Sequence, residues 1–64
     1  MTKEEIFYRT MGCAGFELKS LTKVDENEYT TFYTVVWHSN DGVRCSEVEI
    51  TKEEYDVLLK ELKG

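Results

Sequence analysis

The sequence predicts a small α+β fold: a three-stranded antiparallel β-meander, a C-terminal helix on one face, and an N-terminal helix or fourth strand. Three observations carry this. The run Glu47–Leu62 reads as a strand that passes directly into a capped helix. Residues 28–38 are almost all β-branched or aromatic, the side chains that suit a pleated surface. The polar clusters Asp25-Glu26-Asn27 and Ser39-Asn40-Asp41-Gly42 divide the rest into strand-length pieces.

The C-terminal helix is the best-defined element. Thr51 is placed to cap it, and Glu54 three residues later completes a capping box. Ile50 and Tyr55 occupy the flanking hydrophobic-staple positions. The helix is expected over Lys52–Leu62, with Tyr55, Leu58, Leu59 and Leu62 on one stripe. Glu53, Glu54 and Asp56 favour the positive end of its dipole, and Asp56 with Lys60 makes an i, i+4 pair.

The tetrapeptide Thr-Lys-Glu-Glu occurs at residues 51–54 and again at 2–5. Thr2 can therefore cap a second helix, with Ile6, Phe7 and Met11 on one face and Gly12 as the left-handed stop. A strand from Ile6 to Met11 is the alternative, because this segment is also aromatic.

Strands are expected at Phe16–Val24, Glu28–His38 and Val43–Ile50. Three-residue loops would pair Val24 with Glu28 and Ser39 with Val43. One face would then carry Phe16, Leu18, Phe32, Val36, Val48 and Ile50 beneath the C-terminal helix. The other would carry Leu21, Tyr29, Tyr33, Val35, Trp37, Val43 and Cys45, bordered by Glu17, Lys19, Glu47 and Glu49. A slip of one residue in either loop would invert these faces.

Size and charge limit the function classes. The 64 residues form one domain, 1–64, with little volume for both a core and an enclosed pocket. Thirteen acidic and 8 basic residues give a net charge of −5. There is no basic stripe to neutralise phosphates, so direct nucleic-acid binding is not expected. Acidity suits docking on a basic protein such as a nucleic-acid-handling enzyme. No apolar run spans a bilayer and the polar start lacks a signal peptide, so a cytoplasmic location without membrane contact is expected. Cys13 and Cys45 are then expected as free thiols.

No catalytic residues, metal or cofactor are expected. Gly12 and Gly15 do not build a phosphate loop. Cys13, His38 and Cys45 supply too few ligands for zinc. His38 and Cys45 lie near each other in the expected hairpin, but no orienting group or cleft accompanies them. They read as a rim histidine and a small buried thiol, and Cys13 as a small residue at a tight corner. Glu47 and Glu49 share a strand face without pocket-forming loops, so they read as a solvated rim.

The expected partner-binding residues are Tyr29, Tyr33, Val35 and Trp37, with Glu47 and Glu49 meeting a basic rim. Length, acidity, the small sheet and the run Val48–Tyr55 together resemble the short acidic proteins that bacteriophages encode against host or defence enzymes. Anti-CRISPR proteins and uracil-DNA glycosylase inhibitors are examples. The resemblance is one of form and carries over no functional residues. It implies a stoichiometric inhibitor or adaptor. A self-associating homodimeric structural protein is the alternative.

Replacing the cap, Thr51→Ala, should cost about 1 kcal/mol. A thermal melt checks this; an unchanged midpoint would remove the cap from the account.

Overall fold

The computed structural model describes residues 1–63. The element order is α1 (Lys3–Thr10), β1 (Phe16–Asp25), β2 (Thr31–Ser39), β3 (Cys45–Ile50) and α2 (Lys52–Lys63). The strands form one antiparallel sheet in the order β1-β2-β3. The N-terminal segment is thus the helix and not the strand. Thr2 Oγ1 accepts from the Glu5 N–H at 3.2 Å. Beyond Met11, Gly12 takes φ +69° and ends the helix, in the backbone region that glycine enters without steric cost.

The sheet register corrects the expected faces. The turn between β2 and β3 has four residues, 40–43, so Ser39 lies opposite Arg44, whose carbonyl accepts from the Ser39 N–H at 2.8 Å. Gly42, at φ +76°, closes the inner turn by donating to the Ser39 carbonyl. The extra loop residue is Val43, 80% exposed and outside the strand. In the other hairpin the turn is the five residues 26–30, so Val24 pairs with Phe32 and not with Glu28, an even shift that keeps the faces; the register then shifts by one between Leu18 and Ser20, leaving Lys19 as a bulge.

Each irregularity moves a strand segment by one residue relative to β2. Because strand side chains alternate, each therefore exchanges faces for that segment. Val35 now faces Leu21 on one side and Val48 on the other; Trp37 faces Leu18 and Ser46; Tyr33 faces Ile50. The bulge lets Phe16, Leu18 and Leu21 pack against one core despite their broken spacing. Tyr33, Val35 and Trp37 are thus on the helix side, and Phe32 and Val36 on the other, the reverse of the expectation. Phe16, Leu18, Val48 and Ile50 stay under the helices as expected. Tyr29 lies in the β1–β2 turn, outside the strand.

The core is Ile6, Val35, Trp37, Ile50 and Leu58. Trp37 and Val35 have no exposed surface. Phe7 meets the Trp37 ring edge-on at 5.0 Å between centroids. The indole N–H donates to Thr10 Oγ1 at 2.9 Å, and that hydroxyl donates to the Ile6 carbonyl. The buried polar tip of the indole is therefore satisfied. On α2, Leu58 is buried, Tyr55 lies against Tyr33 at 4.9 Å, and Leu62 is exposed. Val57 packs on the core. The buried stripe is thus rotated away from the expected Leu59 and Leu62.

Glu54 joins the two helices. Its side chain accepts from the Thr51 N–H at 2.9 Å, while the Glu54 N–H donates to Thr51 Oγ1 at 3.2 Å. The same carboxylate takes two bonds from Arg9, Nε to Oε2 at 2.6 Å and Nη2 to Oε1 at 2.5 Å. Burial alone would raise its pKa. The bonds from Arg9 and Thr51 outweigh burial and hold it below the ordinary value of 4.5. Asp56 pairs with Lys52 at 3.4 Å, so its i, i+4 partner precedes it instead of following it as Lys60 would.

Two outcomes are expected. Lys19→Ala should change stability by less than about 0.5 kcal/mol, because the side chain is exposed. Deleting Lys19 should cost roughly 3 kcal/mol or more by turning Phe16 and Leu18 outward. Urea unfolding of the pair separates the two, and equal midpoints would sink the bulge account.

The second outcome concerns acid. A carboxyl whose folded pKa is lowered contributes stability that is present above its unfolded value and is lost as pH falls through the folded pKa. The melting midpoint should therefore drop as pH falls below 4.5. Arg9→Met should lower stability by about 1–2 kcal/mol at pH 7, the lower end reflecting the half-exposed guanidinium. It should also flatten the acid limb. An acid limb as steep in Arg9→Met as in the wild type would exclude this pair as its source.

Candidate interaction surface

The helices cover one face of the sheet and leave the other open. Across the open face the register sets short rows. Glu17, His38 and Cys45 form one row. Ser20, Val36 and Glu47 form the next, followed by Thr22, Thr34 and Glu49. Val24 and Phe32 form the last, beyond the end of β3 at Ile50.

This face is polar at its sides, and its central strand alternates: apolar Val36 and Phe32 stand two rows apart with Thr34 between them. Phe32 is 39% and Val24 51% exposed. Val36 is half-buried, with Glu47 exposed beside it. Glu17, Glu47 and Glu49 are all exposed. Two nitrogen-bearing side chains are near. Lys19 Nζ reaches to 3.7 Å from Cys45 Sγ, and His38 Nε2 lies 4.0 Å from Glu17 Oε2.

The expected binding residues separate into two sets. Val35 and Trp37 are core and Tyr33 packs against it, so in this fold none of the three can form the centre of an exposed face. Tyr29, 90% exposed, stands at the turn between β1 and β2. Glu47 and Glu49 lie on the open face. Phe32, Val24 and Val36 take the apolar positions there. Their missed signal was the parity break in β1, where Phe16 and Leu18 are even-numbered and Leu21 is odd.

The setting of Cys45 also differs from expectation. Cys13 and Cys45 are free, and both are exposed. Cys45 lies directly across from His38, but at the solvent surface and not buried. Among the described residues, no three His, Cys, Asp or Glu side chains are grouped to hold a metal.

The β2–β3 turn is locked from within. Ser39 Oγ donates to the Asp41 carboxylate and accepts from the Arg44 N–H at 3.0 Å. The bond from Ser39, joined by the Val43 N–H, holds the Asp41 carboxyl below its usual pKa. The Asn40 N–H donates to the Gly15 carbonyl at 2.9 Å, tying this turn to the α1–β1 corner. Arg44 lies over the Phe16 ring at 5.7 Å.

A shallow depression along α2 is lined by Asp56, Leu59, Lys60 and Lys63. These positions recur on one side of a single helix. No second element walls the depression, so it cannot enclose a small molecule. Among the described residues, no helix is long and apolar enough to cross a membrane. Comparison with protein-family models, curated proteins and solved structures returned no match to this chain.

Proposed function

We propose that this chain is a small acidic protein-binding module that docks on a basic protein surface as a stoichiometric inhibitor or adaptor. The observation that carries this reading is the open sheet face, where exposed Glu17, Glu47 and Glu49 flank Val36 and lead to Phe32 and Val24. Apolar contacts at Val36, Phe32 and Val24 beside exposed carboxylates supply both contact area to bury and a field that steers an oppositely charged partner. Net charge −5 adds to that steering.

Its resemblance in length and acidity to phage-encoded inhibitors suggests the class of partner: a host or defence enzyme that handles nucleic acid and is therefore basic near its working surface. Such an inhibitor needs no catalytic group of its own. It acts by occupying the surface.

Charge inversion tests the reading. The variant Glu17→Lys/Glu47→Lys/Glu49→Lys should keep its melting midpoint within a few degrees, because all three side chains are exposed. It should release the basic proteins that immobilised wild type retains from a cell lysate at low salt. Identical retention by both would sink the reading. Light scattering across a concentration series is run beside it. A dimer that persists on dilution and buries Phe32 would favour self-association instead.

A further inference from the structure

We infer that the outer edge of β3 takes an extended basic strand from the partner, one with Lys or Arg at alternate positions, as a fourth strand of the sheet. This rests on the protein-binding reading above and assigns that partner's local chemistry.

The hydrogen-bond phase of the β2–β3 ladder exposes the edge. The Ser39 N–H bonds to the Arg44 carbonyl directly opposite it. Bonded pairs alternate with unbonded ones in an antiparallel ladder. The bonded pairs are therefore Trp37 with Ser46, Val35 with Val48 and Tyr33 with Ile50. Cys45, Glu47 and Glu49 then point their N–H and C=O groups away from β2. Among the described residues no strand lies beside β3 on that side.

The side chains of these same residues are on the open face. An incoming strand bonded to Glu47 and Glu49 would set its own paired side chains next to two carboxylates. Opposite charges at such positions stabilise the pairing and like charges oppose it. The intervening residues of that strand would point to the helix side, beside Val48, which favours aliphatic side chains there. The complementary sequence alternates cationic and aliphatic residues.

The two edges of the sheet are not equivalent. β1 is broken by the bulge at Lys19 and carries Lys23 on its helix side, opposite Tyr33. A bulge and an inward-pointing lysine are devices that block edge pairing. β3 has neither, and no proline. Its charges are both acidic, so pairing with a copy of itself about its centre would set Glu47 against Glu47 or Glu49. The same carboxylates that admit a basic strand exclude a second β3.

The test uses the intact protein and a synthetic acetylated Thr-Lys-Val-Lys-Val-Lys-Thr amide. The control has the same composition with its lysines contiguous. Amide exchange followed by NMR should slow at Cys45, Glu47 and Glu49 on adding the alternating peptide. Ser46 and Val48, already bonded to β2, should change little. Glu47→Pro removes an outward N–H, which an edge strand tolerates. It should bind the alternating peptide roughly fivefold or more weakly than Glu47→Gln, the loss expected for one hydrogen bond.

Equal binding of both peptides without protection at Glu47 and Glu49 would overturn the edge assignment while leaving face docking intact. So would protection that appears without peptide and grows with protein concentration, the mark of self-pairing. No binding of the alternating peptide also overturns it, and the charge-inversion experiment then judges the broader reading separately.

Discussion

Only one face of this sheet has helices to cover it, so every large side chain that must leave water has to reach that face. Trp37 is at the centre of this constraint. It is wholly buried, meets Phe7 of α1 edge-on, and finds its polar partner in Thr10 of the same helix. A single indole thus fixes both the height and the rotation of α1 over the sheet. The bulge at Lys19 and the four-residue β2–β3 turn follow from the same demand, because each brings another segment's apolar residues onto Trp37's side. In a domain this small, few alternative buried groups exist to replace such a contact.

Glu54 is the second fixed point. A capping glutamate normally serves one helix. Here it also accepts the Arg9 guanidinium, so the start of α2 and the end of α1 share one carboxylate. The cost of burying that charge is offset by three bonds to the carboxylate, two from Arg9 and one from the Thr51 N–H. Capping and helix–helix docking are therefore coupled. A change at either residue is felt at both helices.

Drawing the large apolar residues under the helices leaves the open face sparse and acidic. What remains outside is Val36, the cross-strand pair of Phe32 and Val24 two rows away, exposed carboxylates, and Tyr29 at the turn. The surface is thus less aromatic than the sequence suggests, and its chemistry is mainly charge plus an open strand edge. Recognition built from backbone pairing and alternate charges reads the pattern of a partner strand and needs no deep pocket. The depression along α2, lined by residues of that helix alone, is no such pocket.

The elements themselves were legible in the residues. The repeated Thr-Lys-Glu-Glu marks both helix starts, because a hydroxyl three residues before a backbone N–H caps a helix in any context. The β-rich run at β2, the polar turns and the stop at Gly12 are equally local. Glu47 and Glu49 as an exposed pair could also be read. Which face of β2 is buried could not, because alternation gives two faces and leaves the choice between them to pairing. That choice hung on one extra residue at Val43 and one at Lys19, each tolerated locally in either form. Only the requirement that Phe16, Leu18, Leu21, Trp37, Val48 and Ile50 share the one helix-covered face decided it, and that requirement acts between strands and helices, across the whole chain.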